Sequence, residues 1–303
     1  MESHFKQIDM KKAILKTFVI SMVVLLAVNA YSQEKKINVV VFGGHPDDAD
    51  YKAGGTAIQF AKMGHHVLFV SVTNGDRGHE TMSGKQLADI RKDEAMEAAR
   101  RAGVTYKVLD NPDGALFPTL EVRHEIIRII REWKADIVIT HRPNDYHPDH
   151  RNTGVAVQDA AYLVIVPNIV PDVPALDKNP LFLYVEDRFQ KPYPFIPDLC
   201  IDISDVFDQK IYAMSAHQSQ YFDWLPWTNR KKDEVPAGET QRLKWLADQR
   251  RGTISDAERE SLIKWYGKEK AEQTKVVESF EICEFGRQPS EEEIRQLFPM
   301  IKK

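Results

Sequence analysis

Cysteine is nearly absent from this chain. Cys200 and Cys283 are the only two, far apart and each inside a β-like run, so buried free thiols are expected, with a single disulfide as the alternative. Neither lies near the N-terminus, which excludes a lipid-modified N-terminal cysteine. Excess positive charge is also missing. The net charge is −4, and nucleic-acid binding, which sets cationic side chains against phosphates, is not expected. No apolar run reaches the ~20 residues of a spanning helix. No low-complexity linker or composition shift marks a second domain, and no Asn-X-Ser/Thr glycosylation sequon occurs.

The longest apolar run lies near the start. Lys11, Lys12 and Lys16 precede Phe18 to Val28, and Ala30 and Ser32 place small residues at the −3 and −1 positions of a cleavage site. Residues 1–32 therefore read as a secretory signal peptide, with Met1 or Met10 as the start and with no stable membrane insertion after cleavage. Lys6, Lys11, Lys12 and Lys16 against Glu2 and Asp9 give this leader a net +2, so the −4 of the whole chain becomes −6 without it. The protein is expected to be exported, periplasmic or secreted. Residues 33–303 are expected to form one domain, long enough for a full core.

The chemistry begins at Val39-Val40-Val41-Phe42-Gly43-Gly44-His45-Pro46-Asp47-Asp48. An apolar strand turns through two glycines into a histidine and two carboxylates, at the strand end where open α/β sheets bind ligands. Pro46 suits the first position of a following helix, which would put His45 and Asp48 on one face of its first turn. The pattern returns after Ala135 to Thr140, a second buried strand, in His147-Pro148-Asp149-His150. Histidine nitrogens and a carboxylate at this spacing suit zinc or another divalent metal. Spacing alone allows a closed four-ligand site, or three ligands with one group left for catalysis. Asp47 and Asp149 would be surplus in a structural site, which favours the catalytic version.

These residues carry a family resemblance. His45-Pro46-Asp47-Asp48-Ala49-Asp50, with Ala53-Gly54-Gly55-Thr56 after it, resembles the signature of the LmbE-like or PIG-L family of zinc-dependent N-deacetylases. His147-Pro148-Asp149-His150 resembles its second motif. Supporting matches are Thr73 to Gly78, Arg91 with Glu94, Pro112-Asp113-Gly114, and Lys210 leading to His217-Gln218-Ser219-Gln220. The resemblance implies that His45, Asp48 and His150 ligate Zn2+, or another divalent metal, and that Asp47 is the general base. It further implies that His147 polarises or protonates the reacting amide and that Asp149 orients His147. Ala49 stands where many members carry an acidic residue, a departure that bears on subfamily rather than on metal binding.

Three further residues are candidates for substrate contact. Arg77 lies in a loop at the same sheet edge as His45, Asp113 follows a short strand over 106–109, and His217 enters through the family match. Helices are expected over 54–63, 87–102, 120–133, 151–166, 206–220, 239–250 and 256–272, with a short one after Ser290. Arg91 and Glu94 could pair at i,i+3 on the second of these. Strands are expected over 67–72, 181–185, 199–203 and 276–284, and the proline-rich stretches between 167 and 197 read as structured loops that bear function or shield a site.

The expected fold is α/β: a Rossmann-like, mainly parallel sheet with helices on both faces and a C-terminal strand and helix extension. The expected function is removal of the N-acetyl group from an amino sugar or its conjugate, a small-molecule or glycan substrate. The alternatives are a metal-dependent hydrolase of another amide or a phosphate ester, and a non-catalytic glycan-binding protein with a relict metal site.

Overall fold

In each strand of the central sheet, alternate apolar side chains go to opposite faces, and both faces are covered. Val39 and Val41 enter one core with Phe69, Ile137 and Leu183, whereas Val40 and Phe42 enter another with Val70, Val138 and Phe182. Such strands read as continuous apolar runs, as the sequence around Val39 does.

The computed structural model describes residues 35–301; the leader expected over residues 1–32 lies outside the described residues. Seven strands form one sheet: β1 (Asn38–Gly43), β2 (His66–Thr73), β3 (Thr105–Asn111), β4 (Ile137–Thr140), β5 (Leu181–Val185), β6 (Leu199–Asp202) and β7 (Val277–Ile282). Their order is β3-β2-β1-β4-β5-β7-β6. The first five are parallel, and β7 runs antiparallel to both β5 and β6. The chain moves outward from β1 through β2 to β3, then returns to place β4 on the other side of β1. The carboxyl ends of β1 and β4 thus flank the point where the winding direction reverses, the crevice in which such sheets bind ligands.

Helices α1 (Asp48–Lys62), α2 (Gly84–Ala102) and α5 (Phe207–Met214) cover one face through Ala53, Ala57, Phe60, Ala95, Ala99 and Ile211. Helices α3 (Leu120–Glu132) and α4 (Pro148–Leu163) cover the other through Ile126, Ile130, Val157 and Ala160. The C-terminal part adds α6 (Leu225–Thr228), α7 (Glu239–Arg250), α8 (Asp256–Tyr266), α9 (Lys268–Gln273) and α10 (Glu291–Leu297).

Three local expectations are corrected. The helix expected over 206–220 stops at Met214, and a separate π-helical turn follows over Ser219–Trp224, because His217 is drawn into the core by Asp50. The helix expected over 256–272 is two helices, broken at Gly267, whose φ of +85° suits a residue without a Cβ. Arg91 and Glu94 do not pair with each other: Arg91 donates to the Gly78 carbonyl, and Glu94 accepts from the Ser219 amide and hydroxyl. Cys200 and Cys283 are buried free thiols with different partners, Ser279 and the Tyr184 hydroxyl.

Candidate metal centre and active site

The two glycines at the end of β1 let the backbone pass where no other residue fits. A Cβ on Gly43 would lie 2.6 Å from Asp48 Cβ, and one on Gly44 would lie 2.8 Å from the His150 ring. The strand end is thereby pressed against both halves of the site. α1 starts at Asp48, not at Pro46 as expected, and Asp47 is its N-cap residue. The turn before it is closed by the Asp48 amide donating to the His45 carbonyl at 3.2 Å and by the His45 amide donating to Asp48 Oδ2 at 2.8 Å. In the second motif Pro148 does occupy the first helical position, with His147 as N-cap.

This arrangement brings three donor atoms together. His45 Nδ1 lies 3.3 Å from Asp48 Oδ2 and 3.1 Å from His150 Nε2, and the last two are 3.2 Å apart. Metal–ligand bonds of 2.0–2.1 Å at tetrahedral angles set ligand atoms about 3.3 Å apart, so this triangle has the size and the donor chemistry of a three-residue zinc site. Other donor groupings in the same cluster are possible on distance alone: His45 with His147 and His150, Asp48 with His141 and His150, and His45 with Asp113, His147 and Asp149. Two of those donors are already occupied. His141 Nε2 accepts the Gly44 amide, and the Asp149 carboxylate accepts the amides of Gly114 at 2.6 Å and Leu116 at 3.1 Å.

The neighbours orient the rings of the triangle. Asp145 Oδ1 lies 3.0 Å from His150 Nδ1, which places the proton there and turns Nε2 toward the triangle. Asp113 and Asp149 flank His45 Nε2 at 3.2 and 3.3 Å as ion-pair partners, which leaves Nδ1 facing the triangle. Burial opposes charge on His45, but Asp113, Asp149 and Asp48 together raise its pKa well above the ordinary histidine value. Burial likewise opposes ionisation of Asp48; the His150 charge, with His141 and His45 close beside the carboxylate, holds its pKa well below the usual range.

Asp47 and His147 stand beside the triangle without belonging to it. Asp47 is buried, and its Oδ1 has no hydrogen-bond partner among the described residues. His147 Nδ1 accepts the Asp149 amide at 3.2 Å, so in the neutral ring the proton sits on Nε2. Its ring meets that of His45 edge-on with centroids 4.4 Å apart. Burial and the charges of His45 and His150 lower the His147 pKa. A cleft of about 570 Å³ opens over this corner, lined by His45, Asp47, Asp48 and His150 and also by Tyr51, Tyr146, Tyr221 and Arg250. Arg142 shapes one wall: fully buried, it binds Asp187 through two 2.6 Å bonds and donates to the Phe189 and Tyr193 carbonyls, tying the proline-rich segment over the cleft.

Several expected roles change. Asp149 does not orient His147 with its carboxylate, which is committed to Gly114, Leu116 and His45. His217 is not at the substrate surface: it is fully buried, 3.0 Å from Asp50, and absent from the cleft wall. Asp113 sits against the His45 ring rather than lining the cleft. Arg77 is exposed and donates to the Asp113 carbonyl, also away from the wall. Conversely, His141 and Asp145 were missed. His141 stacks flat on His150 with centroids 4.2 Å apart, and both residues occupy the loop between β4 and the second motif, where their polar character was the available signal.

Known proteins resemble this chain in sequence and fold. The sequence profile described as PIG-L: GlcNAc-PI de-N-acetylase matches residues 40–161. A diacetylchitobiose deacetylase from Thermococcus kodakarensis is 31% identical over 191 residues, covering 60% of this chain and 70% of that protein. The chain belongs to the PIG-L family. A 4-oxalmesaconate hydratase from Pseudomonas putida is 23% identical over 199 residues, covering 63% of this chain and 77% of that one. The PIG-L fold is seen again in the solved N,N'-diacetylchitobiose deacetylase from Pyrococcus horikoshii. That structure aligns with a TM-score of 0.61 at 24% identity and covers 82% of this chain and 84% of its own.

Proposed function

We propose that this PIG-L protein is a zinc-dependent hydrolase that removes the N-acetyl group of an amino sugar or amino-sugar conjugate, acting after export from the cytoplasm. The observation that carries the reading is the triangle of His45 Nδ1, Asp48 Oδ2 and His150 Nε2 beside the unpartnered carboxylate oxygen of Asp47. The deacetylase relative supports the reaction class.

A divalent ion held by those three donors would supply Lewis acidity to the amide carbonyl and lower the pKa of a water. Asp47 receives the proton of the attacking water as the new C–O bond forms. The same carboxyl returns that proton to the nitrogen as the C–N bond breaks, which releases acetate and the free amine. His147 donates its Nε2 proton as a hydrogen bond to the carbonyl oxygen while negative charge develops there, and its lowered pKa makes the neutral ring the donor. Asp145, Asp113 and Asp149 keep the ligand rings oriented.

The hydratase relative supports a second reading, addition of water to an unsaturated carboxylate, with Asp47 again moving the proton. Metal content measured together with acetate release from N-acetylated amino sugars separates the two. Acetate and free amine in equal amounts are the expected outcome; bound metal with no acetate, and hydration of an unsaturated carboxylate instead, overturns the deacetylase reading. Export rests on the pattern from Lys11 to Ser32. Fusion of residues 1–40 to a reporter that is active only outside the cytoplasm checks it, and an inactive reporter counts against export.

A further inference from the structure

Arg250 ends α7, outside the residues matched by the family profile. Its guanidinium lies over two rings, 4.9 Å from the centroid of Tyr51 and 5.1 Å from that of Tyr221. All three residues line the cleft that holds Asp47 and the metal triangle. Cation–π contacts of this kind hold a guanidinium in place without using its N–H donors. Those donors are not satisfied otherwise: Arg250 Nε is buried with no acceptor, and no ion pair of Arg250 is found among the described residues. The contrast with Lys210, another cation on the same wall, is direct. Its Nζ lies 2.7 Å from Glu278 Oε1 and 2.7 Å from the Tyr51 carbonyl, so its charge is spent within the fold.

Tyr221 links this arginine to the chemistry. Its hydroxyl is buried without a partner. Burial raises its pKa far above the ordinary tyrosine value; the charges of Asp47 and Asp50 push it the same way, and Arg250 pushes against them. The general base and the guanidinium therefore act on one phenol. A cleft of about 570 Å³ accommodates much more than an N-acetyl group, in the range typical for small-molecule sites. A guanidinium that is oriented by two rings and left without an anion matches the paired oxygens of a carboxylate or phosphate.

We propose that Arg250 determines the specificity of this cleft by binding an oxyanion on the substrate, a carboxylate or a phosphate attached to the N-acetylated amino sugar. The inference rests on the deacetylase reading and names the substrate class within it. Its test is binding, read separately from turnover. Calorimetry on the metal-loaded Asp47→Asn protein compares the methyl glycoside of N-acetylglucosamine with its carboxymethyl glycoside, N-acetylglucosamine 1-phosphate and N-acetylglucosamine 6-phosphate. At least one charged ligand is expected to bind tenfold or more tightly than the methyl glycoside, and which one does so distinguishes carboxylate from phosphate. Adding Arg250→Gln is expected to bring that ratio to about one, whereas Arg250→Lys, which keeps the charge and the stem, retains part of it. Equal binding of neutral and charged ligands with Arg250 present overturns the proposal, as does a preference that survives Arg250→Gln. Acetate release by the unmutated protein, followed on the same ligands, reports on the deacetylase reading alone.

Discussion

Asp47 and Asp149 occupy the same place in two copies of one motif, His-Pro-Asp followed by a ligand, and the fold gives them opposite fates. Asp47 caps α1, makes no side-chain capping bond and keeps a buried oxygen without a partner at the cleft. Asp149 is fully buried, and the Gly114 and Leu116 amides consume its carboxylate. The histidines divide in the opposite sense. In the first motif the leading His45 belongs to the triangle; in the second the leading His147 stands outside it and the trailing His150 belongs to it. What differs is the company each side chain finds in three dimensions. The segment 113–116 folds over the second motif and supplies amides to its aspartate, and nothing equivalent folds over the first. A carboxylate with its acceptor sites filled positions other groups, and one left open can move protons.

The strongest way to test this contrast is to remove each carboxylate's charge in turn. Asp47→Asn is expected to lower kcat for acetate release by about 10²–10⁴, the range for losing a positioned general base, with metal content unchanged. Near-normal turnover in that variant would end the assignment of Asp47. Asp149→Asn is expected to act on stability, because the acceptor for the Gly114 amide and the buried Leu116 amide is weakened; about 1–3 kcal/mol should be lost in denaturant unfolding. If Asp149→Asn instead matched Asp47→Asn in kcat while keeping its unfolding midpoint, the two aspartates would not be distinct.

A milder effect is expected one step out from the triangle. Asp145→Asn removes the carboxylate that holds the His150 proton on Nδ1, and zinc should bind about 10–100-fold more weakly, measured by competition with a chelator. Unchanged affinity would show that the Asp145 contact does not orient the ligand.

The smallest effect is a proton count. In the metal-free protein burial opposes charge on His150, yet Asp48 and Asp145 raise its pKa to about 9. The stability that this charge contributes is fully present below the ordinary histidine pKa of about 6.5 and is lost as pH rises through about 9. Zinc needs neutral rings, and the raised pKa values of His45 and His150 leave both charged at pH 7, so binding should release about two protons and tighten with rising pH. Calorimetry in buffers of different ionisation enthalpy measures this, and binding without proton release would contradict the charged His150.

Much of this was legible in the residues. The parallel strands around Val39 and Ile137 and the pairing of the two motifs follow from apolar runs and short spacings, which depend on local chemistry. His45, Asp48 and His150, the donors that the family resemblance implies, stand close together because they lie within short segments whose ends the sheet brings together. The failures involve partners distant in sequence. Arg91 and Glu94 looked like a helical pair and turned to Gly78 and Ser219. His217 looked like a substrate contact and was buried against Asp50, 167 positions away. Arg77, with no partner visible in sequence, turned outward to the Asp113 carbonyl.

The sequence by itself determined the α/β alternation, the strand ends that carry chemistry and the donor types available there, since periodicity and turn chemistry are properties of neighbouring residues. Only the tertiary structure decided which carboxylate is filled and which is open, which histidine faces the triangle, and that Arg250 reaches the cleft without an anion. Those outcomes depend on which amides, rings and charges approach each group from elsewhere in the chain. Burial magnifies every such choice, because a polar group removed from water must find its partner in the protein or in a ligand.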